Sequence, residues 1–262
     1  MRIEDVDVPR SDRRSERDIL EALAVYGFTS DRAVPRQSER SAAYADALAR
    51  LAARGLVYEC ACTRRDLARM RAGPLGESVY ARVCRDGVPE AIAHRSQRSL
   101  RVDVNDARIA YVDRLQGTQQ QHLASDVGDF VLRRGDGLYA YQLAVVVDDA
   151  EQGITHVVRG ADLLASTPRQ IYLQRELGYP TPSYLHIPVA IDAHGQKLSK
   201  QTRARALPLD APLPALRAAW SFLQQRDCAG VPSVAAFWRF AAREWDPHRL
   251  PPTRMLPAPR EA

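Results

Sequence analysis

The chain has 262 residues, 45% hydrophobic and 26% charged, enough for a true core and outside the composition of a disordered or fibrous protein. Thirty-seven basic residues against 32 acidic ones leave a net charge of +5, which permits a nucleic-acid partner without requiring one. The opening Met1-Arg2-Ile3-Glu4-Asp5 is charged from its second residue, so no signal peptide is read there, and the apolar run Leu143 to Val147 is far too short to span a bilayer. These features give a cytosolic expectation with no membrane partner, in which the four cysteines are thiols or metal ligands rather than disulfides.

Arg2 to Pro9 reads as the end of a strand running into an acidic loop. A helix is predicted from Glu16 to Tyr26, with Ile19, Leu20, Leu23 and Ala24 on one face and Gly27 stopping it. A second is predicted from Ser41 to Arg54, with Tyr44, Ala47, Leu48 and Leu51 apolar and Gly55 at its end. Leu56 to Cys60 reads as a strand. From Cys60 to Gly128 the pattern is short and broken, with strand-like pieces at Ser99–Val104 and Ile109–Asp113. Phe130–Arg134 and Leu138–Tyr141 flank Gly135-Asp136-Gly137 as a hairpin. A strand at Ile154–Arg159, a helix at Thr167–Leu177 and a strand at Tyr184–Ile191 have the rhythm of a parallel sheet with a crossover helix. Leu213 to Glu244 reads as helices that bury Leu216, Trp220, Leu223, Phe237, Trp238 and Phe240.

Three groups of residues carry chemistry. Cys60-Ala61-Cys62 at a strand end, with Cys84 following, supplies three thiols for a tetrahedral metal. Tyr80 and His94 compete for the fourth place, and general zinc chemistry favours the histidine; Cys228 reads as a core thiol. Glu4 and Arg159 stand at strand ends, where ligands collect in open parallel sheets. A carboxylate there holds an amino group, and a guanidinium fork holds a carboxylate, which is what an amino-acid pocket needs. Lys197-Leu198-Ser199-Lys200-Gln201, behind the polar turn Asp192-Ala193-His194-Gly195, offers mobile cations and a hydroxyl to a polyphosphate. No nucleophile elbow, Walker loop or dinucleotide glycine fingerprint occurs, so ATP use rests on the lysine loop.

Taken in order, several of these stretches resemble the class I glutamyl-tRNA synthetases. The likeness is carried by Arg2-Ile3-Glu4-Asp5, Gln37-Ser38-Glu39-Arg40, Cys60-Ala61-Cys62-Thr63, Tyr141 running into Val146-Val147-Asp148-Asp149, Gly153 through Gly160, Thr167-Pro168-Arg169-Gln170, and the loop Lys197–Gln201. Within that family the short helical tail, the run Arg159-Gly160-Ala161-Asp162-Leu163 and the glutamine ending the lysine loop resemble the glutamyl-Q tRNA(Asp) synthetase branch.

The resemblance implies an α/β protein: a class I Rossmann-type catalytic domain with a zinc-binding, acceptor-like insertion and a short C-terminal helical tail. The expected division is 1–56 for the first catalytic half, 57–128 for the insertion, 129–205 for the second half with the lysine loop, and 206–262 for the tail. It implies one structural Zn²⁺ on Cys60, Cys62, Tyr80 and Cys84, which displaces His94. Glu4, Tyr141 and Arg159 are implied for glutamate, and Lys197, Ser199 and Lys200 for ATP, with Lys197 and Lys200 as the catalytic cations. ATP with Mg²⁺, L-glutamate and tRNA(Asp) carrying queuosine are the implied substrates of a cytoplasmic monomeric ligase. The family's opening strand, Pro-Ser-Pro turn and histidine-bearing ATP motif have no counterpart here, so an N-terminally truncated catalytic half is expected. Two other readings are a fragment of an enzyme charging tRNA(Glu) and a non-catalytic, zinc-containing tRNA-binding remnant.

Overall fold

A computed structural model describes residues 1–74, 78–199 and 206–259. Helix α1 (Arg13–Val25) begins three residues before the predicted start, because Asp12 caps it by accepting the Arg14 amide at 3.0 Å. Helix α2 (Ser41–Ala53) follows the prediction and buries Tyr44, Ala47, Leu48 and Leu51. Strand β1 (Val57–Cys60) then runs to the cysteines. Two single-turn helices, α3 (Arg64–Leu67) and α4 (Glu90–Ala93), lie between it and β2 (Ser99–Val102). Strands β3 (Arg108–Asp113) and β4 (Gly117–His122) form a hairpin that ends in the short α5 (Leu123–Asp126). β4 was not predicted: Gly117-Thr118-Gln119-Gln120-Gln121 has no apolar alternation, and its pairing with β3 supplies the strand.

Strand β5 (Val131–Arg133) meets the Tyr139 backbone across the Gly135-Asp136-Gly137 turn by a single bridge, so this hairpin is shorter than predicted. Tyr141 opens helix α6 (Tyr141–Glu151), which the sequence reading missed. Residues Leu143 through Asp148 are all buried, and a helix apolar on every side shows no amphipathic period. Strand β6 (His156–Gly160) starts two residues late because the Ile154 amide closes the end of α6 onto Asp149 O. Helix α7 (Thr167–Leu177) matches the prediction and stops at Gly178, which is left-handed at φ +70°. The predicted strand Tyr184–Ile191 is two strands, β7 (Ser183–Ile187) and β8 (Val189–Ile191), separated by Pro188, which has no N–H for the ladder.

Helices α8 (Pro212–Phe222) and α9 (Val234–Glu244) follow, and the short β9 (Met255–Pro257) pairs in parallel with β8. The strands form three sheets: antiparallel β1-β2-β5, mixed β4-β3-β7-β6, and β8-β9. β6 and β7 are parallel with α7 between them in sequence, as the strand–helix–strand rhythm predicted. Hairpin β3–β4, within the stretch expected as the insertion, hydrogen-bonds to β7 through a parallel bridge at Asp113 and Tyr184.

The main core gathers Tyr44 and Leu51 from α2, Leu143 and Val147 from α6, Ile171 and Leu173 from α7, and Val102, Ile109 and Leu132 from the strands. A second core joins Tyr26, at the end of α1, to Leu216, Trp220 and Phe237 of the helical tail. Tyr26 O accepts the Trp238 indole N–H at 2.7 Å there. The tail is also stitched to the sheet: Gln116 Nε2 donates to His186 O at 2.9 Å and to Thr253 O at 3.0 Å. No helix of the described residues is long and apolar enough to cross a membrane.

Candidate active site

Arg159 sits near the C-terminal end of β6, beside β7 and the start of α7. Its Nε donates to His186 Nε2 at 3.0 Å, and its Nη2 donates to Thr167 Oγ1 at 2.9 Å and to Gln170 Oε1 at 2.7 Å. All three acceptors are neutral or bear no formal charge, and no carboxylate of the described residues pairs with this guanidinium within 4.0 Å. Three of its five N–H groups are thus committed, leaving both protons of Nη1 for a ligand. The ring of Tyr184 lies 5.5 Å from the guanidinium carbon.

Behind Arg159, His186 is fully buried and its Nδ1 lies 2.6 Å from Asp113 Oδ2. Burial pushes the His186 ring below its ordinary value even though Asp113 pulls it up, so the ring is neutral at pH 7. Burial would raise the Asp113 carboxyl, but the Gln116, Leu115 and His186 amides and the His186 ring hold it below the usual range.

The other predicted pocket residues, Tyr141 and Glu4, are coupled to this place through charge. Tyr141, at the first turn of α6, is pushed up by burial first and then by the charge of Glu4, while Arg159 draws it down. Glu4 is not free: its Oε1 accepts from Arg2 Nη2 at 2.7 Å. Arg2 also pairs through Nη1 with Asp149 Oδ1 at 2.8 Å. Burial raises the Asp149 carboxyl, and Arg2, Glu4 and Arg159 all act on it. Its neighbour Asp148 is fully buried and accepts from Arg40 Nε at 2.6 Å, Gln37 Nε2 at 2.8 Å and Tyr44 OH at 2.9 Å, which locks α2 to α6. Sequence reading had placed Arg2, Thr167, Gln170 and Asp149 only within motifs and had not singled out Asp113 or His186. A lone histidine inside the apolar strand Tyr184-Leu185-His186-Ile187 was the available signal.

The cysteines form a second centre. Cys60, Cys62 and Cys84 hold their sulfurs within 4.8 Å of one another, and Cys62 Sγ lies 3.8 Å from Cys84 Sγ. Two sulfurs bound at about 2.3 Å on a tetrahedron lie about 3.8 Å apart, so the spacing already suits one ion. Tyr80 OH is 3.2 Å from Cys60 Sγ and accepts the Cys84 amide at 3.0 Å. His94 ends α4 in an exposed position outside this group, which removes the histidine alternative. The fourth donor brought to the sulfurs is the phenol.

Arg101 is buried with its guanidinium 3.9 Å from the centre of the Tyr80 ring. Burial would raise the Cys60 thiol, but Tyr80, the Cys62 amide and Arg101 outweigh it and bring the thiol down to about 7. Cys62 goes the other way, pushed up to about 12 by burial and by the charge of Cys60, and burial likewise raises the Tyr80 phenol, so binding a cation would release protons from this group. A cavity of about 690 Å³ opens beside Cys60 and Cys62, with Arg64, Arg95, Arg101 and Arg134 on its walls.

In the lysine loop, Asp192 Oδ1 accepts the His194 and Gln196 amides at 2.8 and 2.9 Å and shapes the turn. Lys197 Nζ donates to Asp162 Oδ2 at 2.5 Å, beyond the end of β6. Ser199 follows it; Lys200 and Gln201 lie outside the described residues.

Comparison with known proteins meets this geometry. The family described as tRNA synthetases class I (E and Q), catalytic domain, matches residues 1–208. The chain therefore belongs to the class I tRNA synthetase family for glutamate and glutamine, a family of aminoacyl-tRNA ligases. Its relatives narrow this further. A protein of Burkholderia cenocepacia named glutamyl-Q tRNA(Asp) synthetase is 53% identical over 250 residues, 94% of this chain and 84% of the relative. A protein of the same name from Dechloromonas aromatica is 49% identical over 267 residues, covering 99% and 86%.

Among solved structures, a glutamate tRNA ligase from Elizabethkingia meningosepticum in complex with its amino acid superposes with TM-score 0.63 at 27% identity over 76% of this chain and 44% of that one. The glutamate-tRNA synthetase of Elizabethkingia anophelis shares the fold, with TM-score 0.77 at 21% identity over 96% and 59%. The chain spans less than two thirds of either solved protein.

Proposed function

We propose that this protein activates glutamate with ATP and transfers the glutamyl group to queuosine at the wobble position of tRNA(Asp). The observation that carries this reading is the state of Arg159: a half-buried cation held by neutral groups, with Nη1 open and its charge felt, like that of Glu4, at Tyr141. Such a site lacks one anion, and an amino acid with a side-chain carboxylate supplies it while its ammonium group meets Glu4. The names carried by relatives about half identical to this chain point to the same substrate.

In the first step the α-carboxylate oxygen of glutamate attacks the α-phosphorus of ATP, and pyrophosphate leaves with the electrons of the broken P–O bond. In the second, a hydroxyl of the queuosine ring attacks the acyl carbon, loses its proton and releases AMP. Lys197, Ser199 and Lys200 are assigned to the phosphates, where cations that follow the departing pyrophosphate stabilise its charge. Mg²⁺ accompanies ATP because lysines alone leave a triphosphate under-neutralised. Cys60, Cys62, Tyr80 and Cys84 are assigned one structural Zn²⁺, which would supply cross-linking rather than reaction chemistry.

The proposed organisation is catalytic half 1–56, zinc-bearing segment 57–128, catalytic half 129–205 and tail 206–262. The reading has the protein working as a cytoplasmic monomer. The test incubates the purified protein with ATP, Mg²⁺, labelled glutamate and, in separate reactions, tRNA(Asp) with queuosine, tRNA(Asp) without it, or tRNA(Glu), then cuts the tRNA to locate the label. Label on the queuosine-bearing anticodon fragment supports the assignment. Label at the 3′ end of tRNA(Glu), or none on either, would defeat it.

A further inference from the structure

We propose that Asp113 and His186 are positioning residues that aim Arg159, a role that rests on the glutamate reading above. The chain of contacts is continuous and buried. Asp113 Oδ1 accepts the amides of Leu115, Gln116 and His186 at 3.0, 2.8 and 3.2 Å, so it is fixed as an acceptor by three donors. Asp113 Oδ2 faces His186 Nδ1 at 2.6 Å. A carboxylate there requires a proton on Nδ1, which leaves Nε2 bare to accept from Arg159 Nε at 3.0 Å. Thr167 Oγ1 and Gln170 Oε1 take both protons of Nη2, so the guanidinium can neither rotate nor slide without losing an acceptor. The result is that Nη1 alone is presented to the ligand.

The arrangement keeps Arg159 aligned without neutralising it. A carboxylate in place of Gln170 would hold the arginine equally well but would cancel the charge that selects glutamate over glutamine. A neutral imidazole of the required tautomer, set by Asp113 from behind, gives alignment at no cost in charge.

This logic makes Asp113→Asn informative. The three amides force the asparagine oxygen into the Oδ1 position, so its NH₂ faces Nδ1 and drives the ring proton to Nε2. That proton can still reach Thr167 Oγ1, 3.2 Å from Nε2, so the buried ring stays satisfied while Arg159 Nε meets a donor instead of an acceptor. The variant should fold and misalign Arg159. The experiment compares wild type with Asp113→Asn by imidazole ¹⁵N NMR, with the His186 signal assigned by its loss in His186→Gln, and by glutamate-dependent ATP–pyrophosphate exchange.

The expected result is a bare Nε2 in wild type and a protonated Nε2 in the variant. The glutamate KM should rise about 10-fold to 100-fold, the value of one charge-assisted hydrogen bond, with the KM for ATP unchanged. Gln170→Glu is the second variant, since it leaves Asp113 and His186 intact while pairing Arg159; it should lose preference for glutamate over glutamine. An unchanged tautomer in Asp113→Asn, or a switched tautomer with an unchanged glutamate KM, overturns the proposal. If wild type shows no saturation by glutamate, the substrate reading fails instead, and the tautomer measured in the same two proteins still decides whether Asp113 sets the acceptor offered to Arg159.

Discussion

A Cβ on Gly128 would lie 2.7 Å from both the amide nitrogen and the carbonyl oxygen of Tyr80. The two residues are joined by a parallel bridge, and Gly128 has φ +74°. The backbone that carries the phenol to the cysteines is therefore seated on a residue with no side chain. Gly128→Ala meets both a forbidden contact with main-chain atoms and a strained dihedral. It should cost more than about 2 kcal/mol of stability and lower metal retention, measured by denaturant unfolding and by metal content after dialysis.

Removing the metal or one thiol gives a second test. Freshly purified protein should carry close to one zinc, and Cys84→Ser or chelation should lower the melting temperature because the cation ties β1 to a later loop. Zinc below about 0.2 equivalents in untreated protein, where a structural site predicts about one, would remove the assignment.

Arg159→Lys probes the pocket's geometry. Lysine keeps the charge but cannot hold His186, Thr167 and Gln170 at once while still offering protons to a ligand. Glutamate-dependent pyrophosphate exchange should fall by about 2–4 kcal/mol in kcat/KM. Equal use of glutamine and glutamate by the wild type would contradict the carboxylate role.

The Asp113–His186 pair predicts acid sensitivity with a defined sign. An unfolded histidine takes up a proton near pH 6.5, whereas burial makes the folded ring resist it to lower pH. Between those points the unfolded chain binds more protons, so stability falls as pH falls. Asp113, held below its usual range, adds a loss of the same sign further into acid, as pH drops through its folded value. The melting temperature should decline from about pH 6.5 downward, and His186→Gln should flatten the first part of that decline.

Helices with a glycine at their end were legible in the sequence: α2 and α7 coincide closely with the prediction, with Gly55 and Gly178 just beyond them. Helix α6 was not, since Leu143 to Val147 are buried on every side and β-branched valines suit a strand as well. The thiols were visible as a spacing, but choosing Tyr80 over His94 needed the family likeness. Asp113 and His186 are separated by 73 positions and meet only because β3 and β7 are neighbours. No local pattern encodes that meeting.

Strand β9 has a consequence for the order in which the protein assembles. β8 leads directly into the lysine loop, and its parallel partner is residues 255–257, with the Val189 amide donating to Arg254 O at 3.0 Å and the Ala258 amide to Ile191 O at 2.8 Å. Gln116 holds the same stretch to the back of His186. During synthesis the sheet of β3, β7 and β6 can close on residues made early, yet the stem of the loop proposed for phosphate stays half-built until β9 leaves the ribosome. The strand that leads into the loop proposed for ATP thus gains its partner late.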